Sequence, residues 1–314
     1  MTKEIGGYLE LEQLVSNEYY KKLIALNTAR NALIYILKAR NVDKLYIPYF
    51  LCDSVSGVCE RKGFAFEYYS IDKHFHPIFD KELAEKEHLY IVNYYGQLSN
   101  DDIIKYKKKY SNIIVDNVQA FFQKPVLGVD TIYSCRKFFG VPDGAYLATD
   151  CILAEELQTD ISANRLKHLL GRFECGSASD YYVAFQENDA SFTNLELMHM
   201  SKLTHNILGA IDYEKVKKKR EENFNFLHSR LKNKNILNLK IPSGPYAYPF
   251  YCKNGKEARK KLLENNIYVP TLWPNVIRTH NEKETEYQLA KNILPLPVDQ
   301  RYSVVELEQV LELL

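Results

Sequence analysis

The chain lacks a Cys-x-x-Cys pair, a Gly-x-Gly-x-x-Gly turn and an excess of either charge, and each absence removes a class of function. Its six cysteines, at 52, 59, 135, 151, 175 and 252, are scattered through 314 residues, so neither a disulfide framework nor a zinc ligand set is indicated. Without a glycine-rich turn after the first strand, a plain dinucleotide-binding protein ranks last among the readings. Lys and Arg number 41 against 40 Asp and Glu, a formal net charge of +1, whereas a general nucleic-acid binder carries a basic excess. No apolar run approaches the length of a membrane span. The leading MTKEIGGYLELEQL, acidic and broken by Gly6-Gly7, has neither the basic start nor the apolar centre of a secretory signal. These features lead to the expectation of a cytoplasmic protein with no nucleic-acid or membrane partner.

What is present is a globular composition, 46% hydrophobic and 26% charged, in a chain long enough for a large domain and a smaller one. Apolar residues at spacings of three and four from Ala29 to Leu37 predict a helix capped by Thr28. Strand-like runs follow at Leu45–Pro48, Phe64–Ile71, Leu89–Gly96, Ile113–Val115 and Thr131–Tyr133, separated by helical stretches. That alternation predicts an α/β fold with a mainly parallel sheet. Gly144–Thr149 reads as a hairpin return, and Leu153–Leu170 as helical. A long helix over Asp212–Leu231 leads to a smaller α+β unit, with strands at Leu237–Ile241, Tyr246–Tyr251 and Ile267–Pro270 and helices at Lys256–Glu264 and Val304–Leu314. The expected division is 1–211 and 212–314. The basic runs Lys107–Lys109 and Lys217–Arg220 are expected on solvated helix faces, and His74-Phe-His76 has no third metal ligand nearby.

The segment 112–143 sets an acid and a base just past two consecutive strand ends. Ile113-Ile114-Val115 stops at Asp116, and Thr131-Ile132-Tyr133 stops at Ser134 and leads to Lys137. In open α/β sheets, ligands collect beyond such strand ends. The unpaired amides and positive dipole end of the helix starting at Thr28-Ala29-Arg30 form a third component, suited to an anion. Asn93-Tyr-Tyr-Gly96 lies at a further strand end, and Gln119 follows Asp116 by three residues.

This set of strand ends resembles the fold-type I pyridoxal-phosphate enzymes, and among them the sugar aminotransferases of the DegT/DnrJ type. The resemblance extends from about Leu26 to Asp150 and is looser beyond. It implies a three-layer α/β large domain with a mainly parallel sheet, a smaller α+β C-terminal domain, a homodimer and pyridoxal 5'-phosphate as cofactor. Asp116-Asn-Val-Gln119-Ala120 resembles the motif that holds the cofactor ring, with Asp116 at the pyridinium nitrogen and Gln119 beside the ring. Lys137, in Ser134-Cys-Arg-Lys-Phe-Phe-Gly140, resembles the lysine that carries the cofactor as a Schiff base and then moves the proton. By the same resemblance Ser134 and the Thr28, Ala29 and Arg30 segment hold the phosphate, and Asn93 lies close to the cofactor's face.

The implied reaction is amino transfer from glutamate to a nucleotide-linked keto-sugar in surface polysaccharide or sugar biosynthesis. Relatives that eliminate or dehydrate commonly carry histidine in place of the lysine, and Lys137 argues for transamination. Three positions depart from the family pattern. Cys52 stands four residues after Pro48, where an aromatic ring is usual, with Tyr49 or Phe50 as the other source of that ring. Pro142-Asp143-Gly144-Ala145 replaces the glycine-acid-glycine-glycine segment. Glu196-Leu-Met-His199 replaces the asparagine-tyrosine-arginine motif that reaches a neighbouring subunit, and the nearest asparagine is Asn194. A cofactor-free relative serving as a binding or structural subunit is the alternative that the Cys52 position keeps open.

Overall fold

Short β-branched and aromatic runs form the strands of one eight-stranded sheet in the computed structural model, which describes residues 5–314. The chain enters through β1 (Ile24–Leu26), α1 (Ala29–Ala39), β2 (Lys44–Pro48), α2 (Asp53–Lys62), β3 (Ala65–Ile71) and β4 (Pro77–Ile78). It continues through β5 (Glu87–Val92), α3 (Asn100–Tyr110), β6 (Ile113–Asp116), β7 (Asp130–Ser134) and β8 (Ala145–Ala148). The spatial order is β1-β8-β7-β6-β5-β2-β3-β4. Neighbours from β7 to β3 are parallel, while β8 runs antiparallel to β7 and to β1. The sequence therefore proceeds outward in one direction from β2 and in the other from β5. That reversal creates a topological switch point, the place where ligands collect in open α/β sheets.

Helix starts follow side-chain chemistry. Thr28 Oγ1 accepts the Asn31 N–H at 3.0 Å and caps α1, whose residues 31–37 are all buried. Ser99 and Asp102 form a reciprocal capping box on α3, satisfying two amides that the helix cannot.

After β8 the expected helix over Leu153–Leu170 is absent as far as residue 166; α4 covers only Lys167–Cys175. Leu153 and Leu157, four apart like a helical stripe, instead pack on the main core from an extended path. That path is held by backbone bonds such as Asp160 N–H to His199 O at 3.0 Å. The chain then forms α5 (Tyr182–Ser191), α6 (Lys202–Gly209) and α7 (Tyr213–Leu231).

Beyond α7 lie β9 (Ala247–Tyr251), α8 (Gly255–Glu264), α9 (Pro274–Thr279), α10 (Thr285–Asn292), β10 (Ile293–Pro297) and α11 (Val304–Glu312). The strands expected at Leu237–Ile241 and Ile267–Pro270 do not form. In the first, Lys240 gives its N–H to Gln97 Oε1 at 2.8 Å and its carbonyl accepts Gln97 Nε2 at 3.1 Å, so one side-chain amide replaces a neighbouring strand. The actual partner of β9 is β10, which pairs antiparallel with Pro295 opposite Pro249. Proline cannot donate to a ladder, so it is confined to exposed edges, which a two-stranded ribbon provides. A second apolar cluster joins Phe224, Leu227, Tyr248, Leu262, Leu294 and Leu307, while Trp273, Val276 and Leu289 pack into the main core.

Arg220 corrects the expectation that the basic run of α7 is solvated. It is 2% exposed. Its guanidinium donates to Gln300 Oε1 at 2.9 Å, Pro245 O at 3.0 Å and Phe138 O at 3.1 Å, and lies 4.6 Å from the centre of the Phe138 ring. Burial pushes its pKa down to about 10. One cation thus ties α7 and the start of β9 to the turn that follows Lys137. Arg220→Met should cost about 2–4 kcal/mol in denaturant unfolding, because several buried acceptors lose their donor. Arg220→Lys should recover little of it, since an ammonium cannot span the same fork.

Candidate functional site

Register brings the site together. Leu26 of β1 and Ser134 of β7 both pair with Ala145 of β8, so the α1 start and the Lys137 turn emerge side by side. Two backbone bonds lock them: Gly144 N–H to Asn27 O at 2.6 Å and Cys135 N–H to Gly144 O at 3.0 Å. Gly144 has φ +114°, and a Cβ there would sit 3.0 Å from Thr204 Cγ2 and 3.3 Å from Cys135 Sγ. Only glycine fits.

Beneath this crossing lies Asp143, fully buried. Its carboxylate accepts the Ser201 N–H at 3.0 Å, the Ser201 hydroxyl at 2.7 Å and the Thr204 hydroxyl, and so fixes the start of α6. In the sequence Asp143 stands only within the departing Pro142–Ala145 segment; the Ser201-x-x-Thr204 spacing at a helix start is the signal for its bracing role.

Asp116 ends β6 and is 4% exposed. The Tyr90 hydroxyl donates to Oδ2 at 2.7 Å and the Val118 N–H to Oδ1 at 2.9 Å. Burial pushes the Asp116 pKa up; these two bonds and the Lys137 charge pull against it, and burial prevails. Such a carboxylate is primed to ionise beside a buried cation. Tyr90 was absent from the sequence-derived set, although it lies on β5, whose end pairs with Asp116.

Lys137 closes a single helical turn, Cys135–Lys137. Its side chain is exposed and has no ion-pair partner among the described residues, while Cys135, Phe138 and Phe139 around it are buried. The Phe138 carbonyl accepts both Arg220 and Gln300 Nε2, the latter at 3.0 Å. Lys137 is therefore a free amine on a fixed base. The preceding residue, Arg136, lies 4.1 Å over the Phe192 ring and pairs with Asp189 at 3.3 Å.

Of the remaining sequence-derived residues, Thr28 uses its hydroxyl as the α1 cap. The Ala29 and Arg30 amides belong to the first turn, which has no intrahelical acceptors for them. Ser134 lies at the β7 end, across Gly144 from that turn. Gln119 Oε1 accepts the Tyr95 N–H at 2.8 Å, holding a buried tyrosine at φ +53°. Such a backbone is strained for a residue with a side chain. Asn93 is differently occupied: its amide bonds Leu98, Asn117 and Gln123 at 2.8–3.3 Å, which leaves no donor for a ligand. The two proposed ring sources differ: Phe50 is buried, whereas Tyr49 is exposed. Phe50 is packed in the core 4.4 Å from Trp273, and Tyr49 stacks on Tyr68 at 4.9 Å.

A buried carboxylate, a free lysine and an amide turn beside a serine hydroxyl together provide for a cationic ring nitrogen, a carbonyl carbon and a phosphate. Pyridoxal phosphate carries those three features, and the residues present fit it.

No protein-family model and no curated protein matches the chain. Solved structures do. A DegT DnrJ EryC1 StrS aminotransferase from Brucella abortus superposes with TM-score 0.65 at 15% identity, over 93% of this chain and 84% of that one. The chain shares the fold of that aminotransferase. NtdA from Bacillus subtilis, solved with bound cofactor PMP, gives TM-score 0.65 at 16% identity over 94% and 72% of the two chains. DesI, solved in the presence of its TDP-sugar product, gives 0.64 at 14% over 92% and 79%. In this fold the parallel neighbours β6 and β7 end side by side, which brings Asp116 and the turn carrying Lys137 to the same end of the sheet.

Folding raises the Asp116 pKa, so the folded chain retains a proton that the unfolded chain has already released. Its contribution to stability is fully present below the unfolded value, falls as pH rises between the two values, and is lost above the folded one. Asp116→Asn should therefore stabilise the cofactor-free protein at neutral pH and flatten its stability profile on the acid side, as read by denaturant unfolding at several pH values.

Proposed function

We propose that the protein is a pyridoxal-phosphate-dependent aminotransferase that moves an amino group from glutamate to a nucleotide-linked keto-sugar, in surface polysaccharide or sugar biosynthesis. The observation that carries this reading is buried Asp116 and exposed Lys137 beyond the ends of neighbouring parallel strands, beside the α1 start. An aminotransferase structure, one structure with bound PMP and one with a TDP-sugar product share the fold and support the reading. The cytoplasm and a homodimer are the setting that we assign to it, with residues 1–211 binding the cofactor and 212–314 forming the smaller unit.

When bound, the cofactor supplies an electron sink for the carbon that loses a proton. Asp116 would hold the ring nitrogen and keep it protonated, and Tyr90 and Val118 fix the carboxylate through the bonds at 2.7 and 2.9 Å. The Lys137 amine would be the group that carries the proton, and the fixed turn at Cys135–Lys137 limits its search to side-chain rotation. The Ser134 hydroxyl and the amides of the Thr28–Arg30 turn would hold the phosphate, and Gln119 would adjoin the ring. Asn93 serves instead to brace the loop after β5.

A cofactor-free binding subunit is the second reading. It is favoured by one observation: Cys52 stands at the usual ring-stacking position while Phe50 is packed in the core and Tyr49 stacks on Tyr68. Incubation with pyridoxal phosphate separates the two. The enzyme reading expects visible absorbance in the wild type that glutamate bleaches. Lys137→Ala should lose that response and ~10²–10⁴-fold of turnover, and Asp116→Ala should retain cofactor poorly. Equally colourless wild type and Lys137→Ala would sink the enzyme reading.

A further inference from the structure

A cavity of about 290 Å³ lies between the first turns of α1, the last turns of α2 and the segment 192–196. Arg30, Arg61 and Lys62 line it with a single carboxylate, Glu196. Lys62 and Glu196 approach to 3.9 Å. Arg30 and Arg61 have no ion-pair partner among the described residues, so the cavity carries two uncompensated guanidinium groups. Ile34 and Val58 supply an apolar wall.

The position of Arg61 is built into its helix. A Cβ on Gly57, one turn earlier, would lie 2.9 Å from Arg61 Nη1. Glycine inside a helix costs roughly 0.5–1 kcal/mol against alanine; here the vacated space seats the guanidinium against α2. Arg30 is half-buried on α1, so its guanidinium has restricted freedom as well. Like charges kept together without a counter-ion repel one another, and an anion that bridges them removes the repulsion while gaining charge-assisted hydrogen bonds.

We propose that this cavity, which adjoins through Arg30 the amide turn assigned to the cofactor, is a second anion site, for a phosphate ester or diphosphate group held by guanidinium side chains rather than by backbone amides. Guanidinium forks match phosphate oxygens two at a time, and the apolar wall suits the organic remainder of such a ligand. The inference stands on this cavity alone and does not require the cofactor reading. Two sources share the chemistry: the diphosphate of a nucleotide-linked substrate, or a separate phosphorylated effector.

The test is calorimetric titration of the full chain with inorganic pyrophosphate, with and without pyridoxal phosphate present. Wild type should bind in both conditions. R61Q/K62Q, in which both altered side chains are exposed, should bind about tenfold or more weakly with circular dichroism unchanged. Glu196→Gln, which removes the one acid, should bind more tightly. Equal affinity in wild type and R61Q/K62Q, or no binding to wild type, overturns the site. Loss of pyrophosphate binding only when cofactor is present also overturns it, because the two anions would then share one place. For the source, UDP that raises KM for a nucleotide sugar and leaves the glutamate half-reaction unchanged identifies the substrate's diphosphate. UDP that alters turnover at saturating substrate identifies an effector. Failure of the protein to colour with pyridoxal phosphate would defeat the enzyme reading and leave this titration interpretable.

Discussion

A carboxylate held out of water at the end of a central strand is the constraint on which the rest of the site depends. Burying Asp116 is unfavourable for the ionised form, and the two bonds from Tyr90 and Val118 do not fully offset it. A fold selected for stability alone has no reason to keep an acid there. Its presence is accounted for by a cationic partner that the folded chain does not itself contain, with Lys137 close enough to lower the carboxylate pKa but not to cancel the effect of burial.

Around that acid, rigidity comes from groups that never approach a ligand. Gly144 allows the backbones of Asn27, Gly144 and Cys135 to bond in succession. Asp143 braces the same crossing from below through Ser201 and Thr204. Arg220 and Gln300 hold the Phe138 carbonyl from the C-terminal part of the chain. The result is a lysine whose backbone is fixed on three sides while its amine is free. That division suits proton transfer, where positioning matters more than affinity.

The β-branched runs ending at Asp116 and Ser134 were legible because a buried strand is continuous and apolar, and an acid at its end stands out. Thr28 was legible because capping is local chemistry. What escaped depends on distant partners. Arg220 reads as part of a solvated basic run until Phe138 and Pro245, remote in sequence, supply its acceptors. The strand expected at Leu237–Ile241 is displaced by Gln97, a side chain more than a hundred residues away. β10 was hidden by its own prolines, which only an edge position tolerates. Asn93, assigned from its place at a strand end, belongs to a buried amide network that one-dimensional spacing cannot reveal.

The central claim is that Asp116 and Lys137 address two ends of one cofactor. Borohydride reduction of the pyridoxal-phosphate-treated protein, followed by proteolysis and peptide mass mapping, tests it most directly. The account predicts a stable pyridoxyl-phosphate mass on the peptide containing Lys137, in stoichiometric yield, and a much lower yield in Asp116→Ala. Label spread over several surface lysines, with the Lys137 peptide unmodified, would contradict it.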